Sequence, residues 1–321
     1  MSASPVLRVS NLTYRYGEFT ALRGISLAVQ PGEIYGLLGP NGSGKSTLFQ
    51  LIATMQLPSD GGVAVSGFDG RQSPDAVRSQ LGVIFQHPSI DPLLTVFENL
   101  KYHGFCYGVR GDELNKRIGQ LLNRLGLTDR KNDRAGTLSG GLKRRVEIAK
   151  GLIARPKILL MDEPSTGLDP VARRDLWELI RQLNRNDGIA VLVTTHIMEE
   201  AGQCSRVGIL DQGELVIEGA PEKLTSAIGG DMVEIQTNDV ESVSQALRAQ
   251  FQIEAQTVQD SLRFEHEDGH HFIPKLVEQL PGVIDAITVR KPTLEDVFVH
   301  HTGHAFSRNE VDAEEHQEAQ L

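Results

Sequence analysis

The sequence predicts an α/β protein whose parallel core sheet is covered on both faces, followed by a small α+β domain. Three observations carry this. The stretches Ile158, Leu159, Leu160, Met161 and Ala190, Val191, Leu192, Val193 are wholly apolar and alternate with helical segments, as parallel strands buried on two sides do. A glycine-rich loop at 39–47 stands between a short apolar stretch and a helix. Beyond about residue 224 the order becomes βαββαβ, the order of a ferredoxin-like domain.

The elements follow in sequence. Residues 6–29 read as strands with turns, closing on a glycine after Tyr14, Arg15 and Tyr16. Gly36, Leu37 and Leu38 form a short buried strand, 46–55 the following helix, and 82–85 another short strand running into Gln86. From 96 to about 127 apolar residues recur at three and four, giving helices over 98–107 and 114–125, with a further helix over 141–154. A helix over 171–184 separates the two doubly apolar strands. In the last part, 232–237, 253–258, 262–265 and 284–289 read as strands, with helices over 240–250 and 272–280. The expected domains are 6–224, with a helical subdomain at about 96–154, then 225–303. An acidic tail, 304–321, carries Glu310, Asp312, Glu314, Glu315 and Glu318 and is expected to be disordered.

Bulk properties exclude several classes. The net charge of −10 argues against a nucleic-acid partner and against electrostatic binding to a membrane surface. No stretch approaches the roughly 18 apolar residues of a membrane span, and the N-terminus lacks the pattern of a signal peptide. Cys106 and Cys204 show no metal spacing and are expected as free thiols of a reducing compartment. Lys143, Arg144 and Arg145 are read as solvating their helix or meeting an interface. His266, His270 and His271 lie in a turn and lack the companions of a metal site.

The chemistry concentrates in a few places. Gly39, Pro40, Asn41, Gly42, Ser43, Gly44, Lys45, Ser46 and Thr47 complete a Gly-x-x-x-x-Gly-Lys-Ser run. Its glycines let successive N–H groups wrap a phosphate, and the helix behind adds its positive end. Lys45 is expected on the β- and γ-phosphates of a nucleotide, Ser46 on Mg²⁺ and Thr47 on a phosphate. Asp162 and Glu163 end an apolar strand, which suits Asp162 to hold Mg²⁺ and Glu163 to act as general base for water. A cluster of acid and hydroxyl residues here is also what a helix start provides.

With Leu138, Ser139, Gly140 and Gly141 between these two motifs and His196 after them, the chain resembles the ATP-binding-cassette (ABC) ATPases, the motor subunits of membrane transporters. The resemblance is strong over about 7–219. It implies a P-loop NTPase fold with a β-rich N-terminal part and a helical subdomain, binding ATP and Mg²⁺. It also implies that Gln86 contacts Mg²⁺ and the water, His196 the γ-phosphate, and Tyr16 the adenine ring. Asp169, in the Ser165–Asp169 loop, would cross to a second subunit. Ser139 and the Gly140 and Gly141 amides would cap the γ-phosphate bound by a second copy, so that hydrolysis opens the dimer. Leu142 stands where glutamine is commonest in the family, which implies a weaker contact across the dimer.

The ending Lys291, Pro292, Thr293, Leu294, Glu295, Asp296, Val297, Phe298 is similar to that of type-two exporters, the drug-resistance, nodulation-signal and sodium-efflux ATPases. It can equally be a capped helix start at Thr293. The expected partners are therefore a separate integral-membrane permease and a second ATP-binding subunit, forming a homodimer held at the cytoplasmic face of the membrane. Residues 87–94, Tyr102 and Tyr107 are candidates for the permease groove. The competing reading is a soluble ABC ATPase acting on ribosomes, nucleic acid or an assembly scaffold. A single cassette and the acidic balance speak against it.

Overall fold

The computed structural model describes residues 4–258 and 261–306; of the tail expected at 304–321, His304 and Phe306 pack against Phe298, and 307 onward lies outside the described residues. The chain divides into two compact units at Glu218 and Gly219. The sequence boundary was expected near 224; the segment between belongs to the second unit because its helix packs on that unit's last helix.

The first unit contains two sheets. β1 (Leu7–Tyr16) and β2 (Phe19–Val29) form an antiparallel hairpin turning at Gly17, whose φ of 57° suits glycine. After β3 (Ile34–Leu38) and α1 (Lys45–Ile52), β4 (Asp60–Val65) and the two-residue β5 (Phe68–Asp69) extend that hairpin in the order β2-β1-β4-β5. The glycine-rich start of β4 hides it from a reading based on apolar alternation. It is placed by pairing with β1, Leu7 opposite Val65.

The second sheet continues with α2 (Pro74–Gln80) and β6 (Leu81–Ile84). Next come α3 (Val96–Cys106), α4 (Gly111–Arg124) and α5 (Gly140–Leu152), which pack on one another. Thr95 and Glu98 start α3 with a capping box. Gly104 lets α4 approach α3, since a Cβ there would lie 2.4 Å from Leu114 Cδ1. The remaining elements are β7 (Ile158–Asp162), α6 (Pro170–Asp187), β8 (Ala190–Thr195), α7 (Met198–Ala201), β9 (Arg206–Asp211) and β10 (Glu214–Gly219). The order β10-β9-β3-β8-β7-β6 is parallel from β9 to β6. β3, β7 and β8 are buried at every position, as their unbroken apolar runs predict. One core joins the sheets, with Leu7, Leu22 and Ile25 meeting Leu48, Leu160 and Leu192.

The second unit begins with α8 (Pro221–Ser226) and continues through β11 (Asp231–Gln236), α9 (Val240–Phe251), β12 (Gln256–Val258) and β13 (Ser261–His266). It ends with α10 (Gly269–Gln279), β14 (Ala286–Arg290) and α11 (Leu294–Thr302). The sheet order is β12-β13-β11-β14, antiparallel throughout, so β13 lies inside the β11–α9–β12 crossover as in a split βαβ arrangement. Val233, Ile235, Leu262 and Phe264 face Val243, Leu247, Phe272 and Leu276 of the two helices. β12 is shorter than the 253–258 strand expected from sequence and pairs only from Gln256.

Candidate functional site

Parallel pairing gathers the site. Leu38 of β3 is in register with Thr195 of β8, and Asp162 of β7 with Thr194. The loops leaving the carboxyl ends of these three strands therefore emerge side by side, where ligands of open α/β sheets bind. The Gly39 N–H donates to Thr195 O at 3.3 Å, joining the glycine loop to the segment that carries His196.

Two of the loop's glycines, Gly39 and Gly44, are sterically required. A Cβ at Gly39 would stand 2.4 Å from Leu210 O and 2.5 Å from Ser43 Oγ. At Gly44, with φ of 104°, it would meet Leu22 Cδ2 at 2.8 Å and Ala21 O at 2.9 Å. Gly44 caps α1 without any side-chain acceptor, so the first N–H groups of the helix face the loop's concavity. The Ser43 hydroxyl is buried and has no hydrogen-bond partner among the described residues. An orphaned donor inside a ring of amides fits a phosphate oxygen.

Lys45 is buried, and its Nζ donates to Gly39 O and Pro40 O, both at 2.8 Å. It also lies 3.8 Å from Glu163 Oε1. Burial lowers its pKa, and the charges of Glu163 and Asp162 partly restore it. Ser46 is exposed and Thr47 half-buried, both beside the loop.

Asp162 accepts the Thr194 hydroxyl at 2.5 Å. Burial pushes its pKa up and Glu163 adds to this, against the Thr194 hydrogen bond and Lys45. Glu163 sits at φ 41°, a left-handed conformation costing on the order of 1 kcal/mol for a residue with a side chain. Its N–H is held by Thr194 O at 3.2 Å and Thr194 Oγ1 at 3.0 Å. The carboxylate accepts from Thr166 Oγ1 at 3.2 Å and Gln86 Nε2 at 3.4 Å, and lies 3.2 Å from His196 Nδ1. Burial alone would raise Glu163, but the His196 contact, Lys45 and Thr166 hold it below the usual carboxylate range. The hydrogen bond to Glu163 correspondingly raises His196 above its ordinary value, against burial and Lys45.

The oxygen donors present suit a hard divalent cation: the Ser46 hydroxyl, the Asp162 carboxylate and the Gln86 amide. A cation there would keep Asp162 ionised against its burial, and the mixed donor set leaves positions for water.

The structure thus brings together the 39–47 loop, Gln86, Asp162, Glu163 and His196. Tyr16, Ser139, Gly140, Gly141 and Asp169 are not joined to this cluster by any hydrogen bond or ion pair among the described residues. Tyr16 is exposed at the end of β1, its ring edge against Tyr14 at 4.8 Å. Ser139 is exposed at the start of α5, its hydroxyl accepting from Leu142 N at 3.4 Å. The Asp169 carboxylate caps α6, accepting from Val171 N and Ala172 N at 3.0 and 2.9 Å.

One expectation is corrected. Arg144 does not solvate its helix: it is buried, and its Nη1 and Nη2 donate to Phe85 O at 2.7 Å and Gln86 O at 3.0 Å. It therefore fixes the backbone that presents Gln86. The signal was there in the spacing, since Arg144, Ile148 and Gly151 lie on one helix face with the buried positions.

Residues 22–166 match the ABC transporter family. The chain is 35% identical over 309 residues to the linearmycin resistance ATP-binding protein LnrL of Bacillus subtilis, covering 93% of this chain and 98% of that protein. It is 33% identical over 314 residues to the daunorubicin resistance ATP-binding protein DrrA2 of Streptomyces coeruleorubidus, covering 95% and 97%. With the Nod factor export ATP-binding protein I of Ralstonia nicotianae it shares 35% over 310 residues, covering 94% and 95%. Among solved structures it is similar to cbiO1 from Clostridium perfringens, part of the cbiONQ ABC transporter complex, with a TM-score of 0.65 and 27% identity over 78% of this chain and 97% of that one. It is also similar to the dimeric cassette MJ0796 in a post-hydrolysis state bound to ADP and Pi, with a TM-score of 0.60 and 32% identity over 67% and 98%.

Proposed function

The chain belongs to the ABC transporter family as an ATP-binding, ATP-hydrolysing subunit of the exporter type, and from that premise we propose that it works as two copies beneath an integral-membrane permease. The observation that carries the hydrolytic assignment of residues is the Glu163 carboxylate, met at once by Gln86, His196 and Lys45. Lys45 exchanges its two loop carbonyls for phosphate oxygens, joined by the Ser43 hydroxyl and the first N–H groups of α1. Glu163, ionised, takes a proton from water as the water oxygen bonds the γ-phosphorus. The bond to the β-phosphate oxygen breaks, and ADP departs with that electron pair. Lys45 and protonated His196 offset the negative charge that develops. Mg²⁺ held by Ser46, Asp162 and Gln86 would add charge neutralisation on the phosphates.

Ser139 and Gly140 lie exposed at a helix start with Gly141 half-buried behind them, and Asp169 sits in an exposed loop, which supports their use by a nucleotide held on a second copy. Tyr16, exposed beside the first sheet, supplies a face for adenine. No helix among the described residues is long and apolar enough to cross a membrane, so the permease is assigned to a separate chain at the inner membrane face. Relatives named for linearmycin, daunorubicin and Nod factor use similar motors, which supports cargo selection by the permease.

The test is nucleotide-dependent dimerisation. Glu163→Gln protein is expected to sediment as a dimer with ATP and as a monomer with ADP, and adding Ser139→Arg is expected to abolish the dimer while keeping monomer ATP affinity. A dimer unaffected by Ser139→Arg removes the trans site. Detergent extraction of the tagged protein from its host is expected to recover a polytopic membrane protein in equal amount, and recovery with ribosomal or assembly proteins alone would reverse the transporter reading.

A further inference from the structure

We propose that Glu200 is a positioning residue that holds Glu163 and His196 in register from behind the site. It lies in α7, is buried, and touches neither loop glycines nor the Lys45 ammonium by any hydrogen bond or ion pair among the described residues. Both carboxylate oxygens are committed. Oε1 accepts the Ser165 hydroxyl, and Oε2 accepts the Thr195 hydroxyl at 2.7 Å. Ser165 and Thr195 are themselves buried. Ser165 follows Glu163 by two residues, and Thr195 immediately precedes His196.

One carboxylate thus ties together the two chain segments that carry the catalytic pair. Those segments leave neighbouring parallel strands, β7 and β8, whose pairing reaches Asp162 and Thr194; Thr194 also holds the Glu163 N–H, and Glu200 adds the tie beyond it. The tie is stiff on each side. Thr195 Oγ1 also accepts the Ile197 N–H at 3.0 Å, so the backbone on both sides of His196 is gripped. Cys204 Sγ sits 3.6 Å from Glu200 O and fills the space over Gly36, where a Cβ would lie 2.8 Å from the sulfur. That contact presses the α7 segment onto β3, the strand that feeds the glycine loop. Arg173 Nε, 3.9 Å from Oε1, is a cation facing the buried charge, and the Glu200 charge also acts on His196.

A buried carboxylate is retained at a cost unless every lone pair finds a donor, and here the donors are two hydroxyls that a nonpolar core would not need. Their common use is to hold the 3.2 Å separation between His196 Nδ1 and Glu163 Oε2. Misplacing a catalytic group by about an ångström lowers turnover by up to roughly a hundredfold without weakening substrate binding.

The inference rests on the assignment of Glu163 as base, so Glu163→Gln is run beside each variant: turnover surviving in Glu163→Gln sinks that assignment, whereas loss there with full activity in Glu200→Ala sinks only the role of Glu200. In the full chain, Glu200→Ala is expected to lower kcat by about tenfold or more while KM for ATP changes less than about threefold. Glu200→Gln is expected to recover at least about a third of wild-type kcat, because the amide offers two polar atoms and hydroxyls donate or accept alike. Unchanged kcat in Glu200→Ala, or no recovery in Glu200→Gln, overturns the proposal. Should Glu200→Ala fail to fold, Ser165→Ala, Thr195→Val and the double variant decide. Effects on kcat that do not add support a shared carboxylate, and effects that add within about twofold overturn it.

Discussion

The carboxyl end of the parallel sheet and the antiparallel sheet of the second unit both contain buried charge, and they treat it in opposite ways. In the second unit, the buried carboxylates Asp231 and Asp296 are each met by a cation at hydrogen-bond distance. Arg290 grips Asp296 through two hydrogen bonds of 2.5 and 2.8 Å, and Asp296 also accepts Thr293 N at 2.7 Å as part of a capping box. Lys291 meets Asp231 at 2.7 Å, and Arg263 bridges Glu234 and Glu295. At the nucleotide end, Lys45, Asp162 and Glu163 are nearly as buried, yet Lys45 reaches Glu163 only at 3.8 Å and spends its short hydrogen bonds on carbonyls. The pKa directions follow. Asp296 is held below its ordinary range, burial being outweighed by Arg290 and Thr293, whereas Asp162 is pushed up and Lys45 down by burial. Satisfied charge stabilises a fold, and charge left with spare capacity is available to a ligand.

The sharpest break in this comparison is a pair of reciprocal substitutions. Glu163→Gln is expected to lower steady-state ATP turnover at least about a hundredfold with ATP affinity within a few-fold, and to leave the melting temperature unchanged. Asp296→Ala is expected to do the reverse, with kcat unchanged and the second unit destabilised by about 2 to 3 kcal/mol in thermal or denaturant unfolding. If Asp296→Ala instead lowers kcat with stability intact, the division between the two regions collapses.

Arg144 tests a charge between the two descriptions, since it is buried on two backbone carbonyls, without an ion pair among the described residues, and serves the site by holding the backbone at Gln86. Arg144→Leu is expected to lower kcat by roughly three- to tenfold by freeing the backbone at Gln86, and to destabilise by about 1 to 2 kcal/mol. Arg144→Lys is not expected to restore activity, because an ammonium cannot reproduce the fork that reaches two successive carbonyls.

The smallest effect is in pH dependence, where Asp296 and Asp231 should carry the opposite sign to His196. Asp296 and Asp231 have lowered folded pKa values, from Arg290 and Lys291 respectively. Their stabilisation is full above about 3.9, the unfolded value, and is lost as pH falls through the folded values. His196 is raised by Glu163, so its contact contributes fully below about 6.5 and is lost as pH rises through the folded value. Melting curves are therefore expected to show the second unit weakening in acid. The alkaline limb of the kcat profile should follow loss of the His196 proton, and a limb that persists unchanged in His196→Ala would contradict that.

What could be read from the residues was governed by locality. The 39–47 loop is legible because steric need, anion binding and helix start all fall within nine successive positions. β3, β7 and β8 are legible because burial on two faces leaves unbroken apolar runs. β4 was not, since Asp60, Gly61 and Gly62 carry no strand signature and long-range pairing with β1 places them. β9 and β10 escaped because neither shows a clear period: Arg206 and Glu218 turn from the apolar positions to reach Glu33 and each other. Within the site, Lys45, Asp162, Glu163 and His196 declared themselves through motif spacing. Arg144 and Glu200 did not. Arg144 lies on the buried face of its helix, yet only the approach of 85–86 to α5 gives it a partner, and Glu200, in a segment for which no element was expected, gains its partner from Ser165.

The left-handed backbone at Glu163 bears on how copies of this gene can drift. Glycine, asparagine and aspartate adopt that conformation most readily, while branched side chains are excluded from it. With Glu163 as the proposed base, a duplicate relieved of selection for hydrolysis would slide first toward those three residues, relieving backbone strain as it gives up the contacts to Gln86, Thr166 and His196. The position is a ratchet: decay there is downhill, and regaining the glutamate means climbing back into strain.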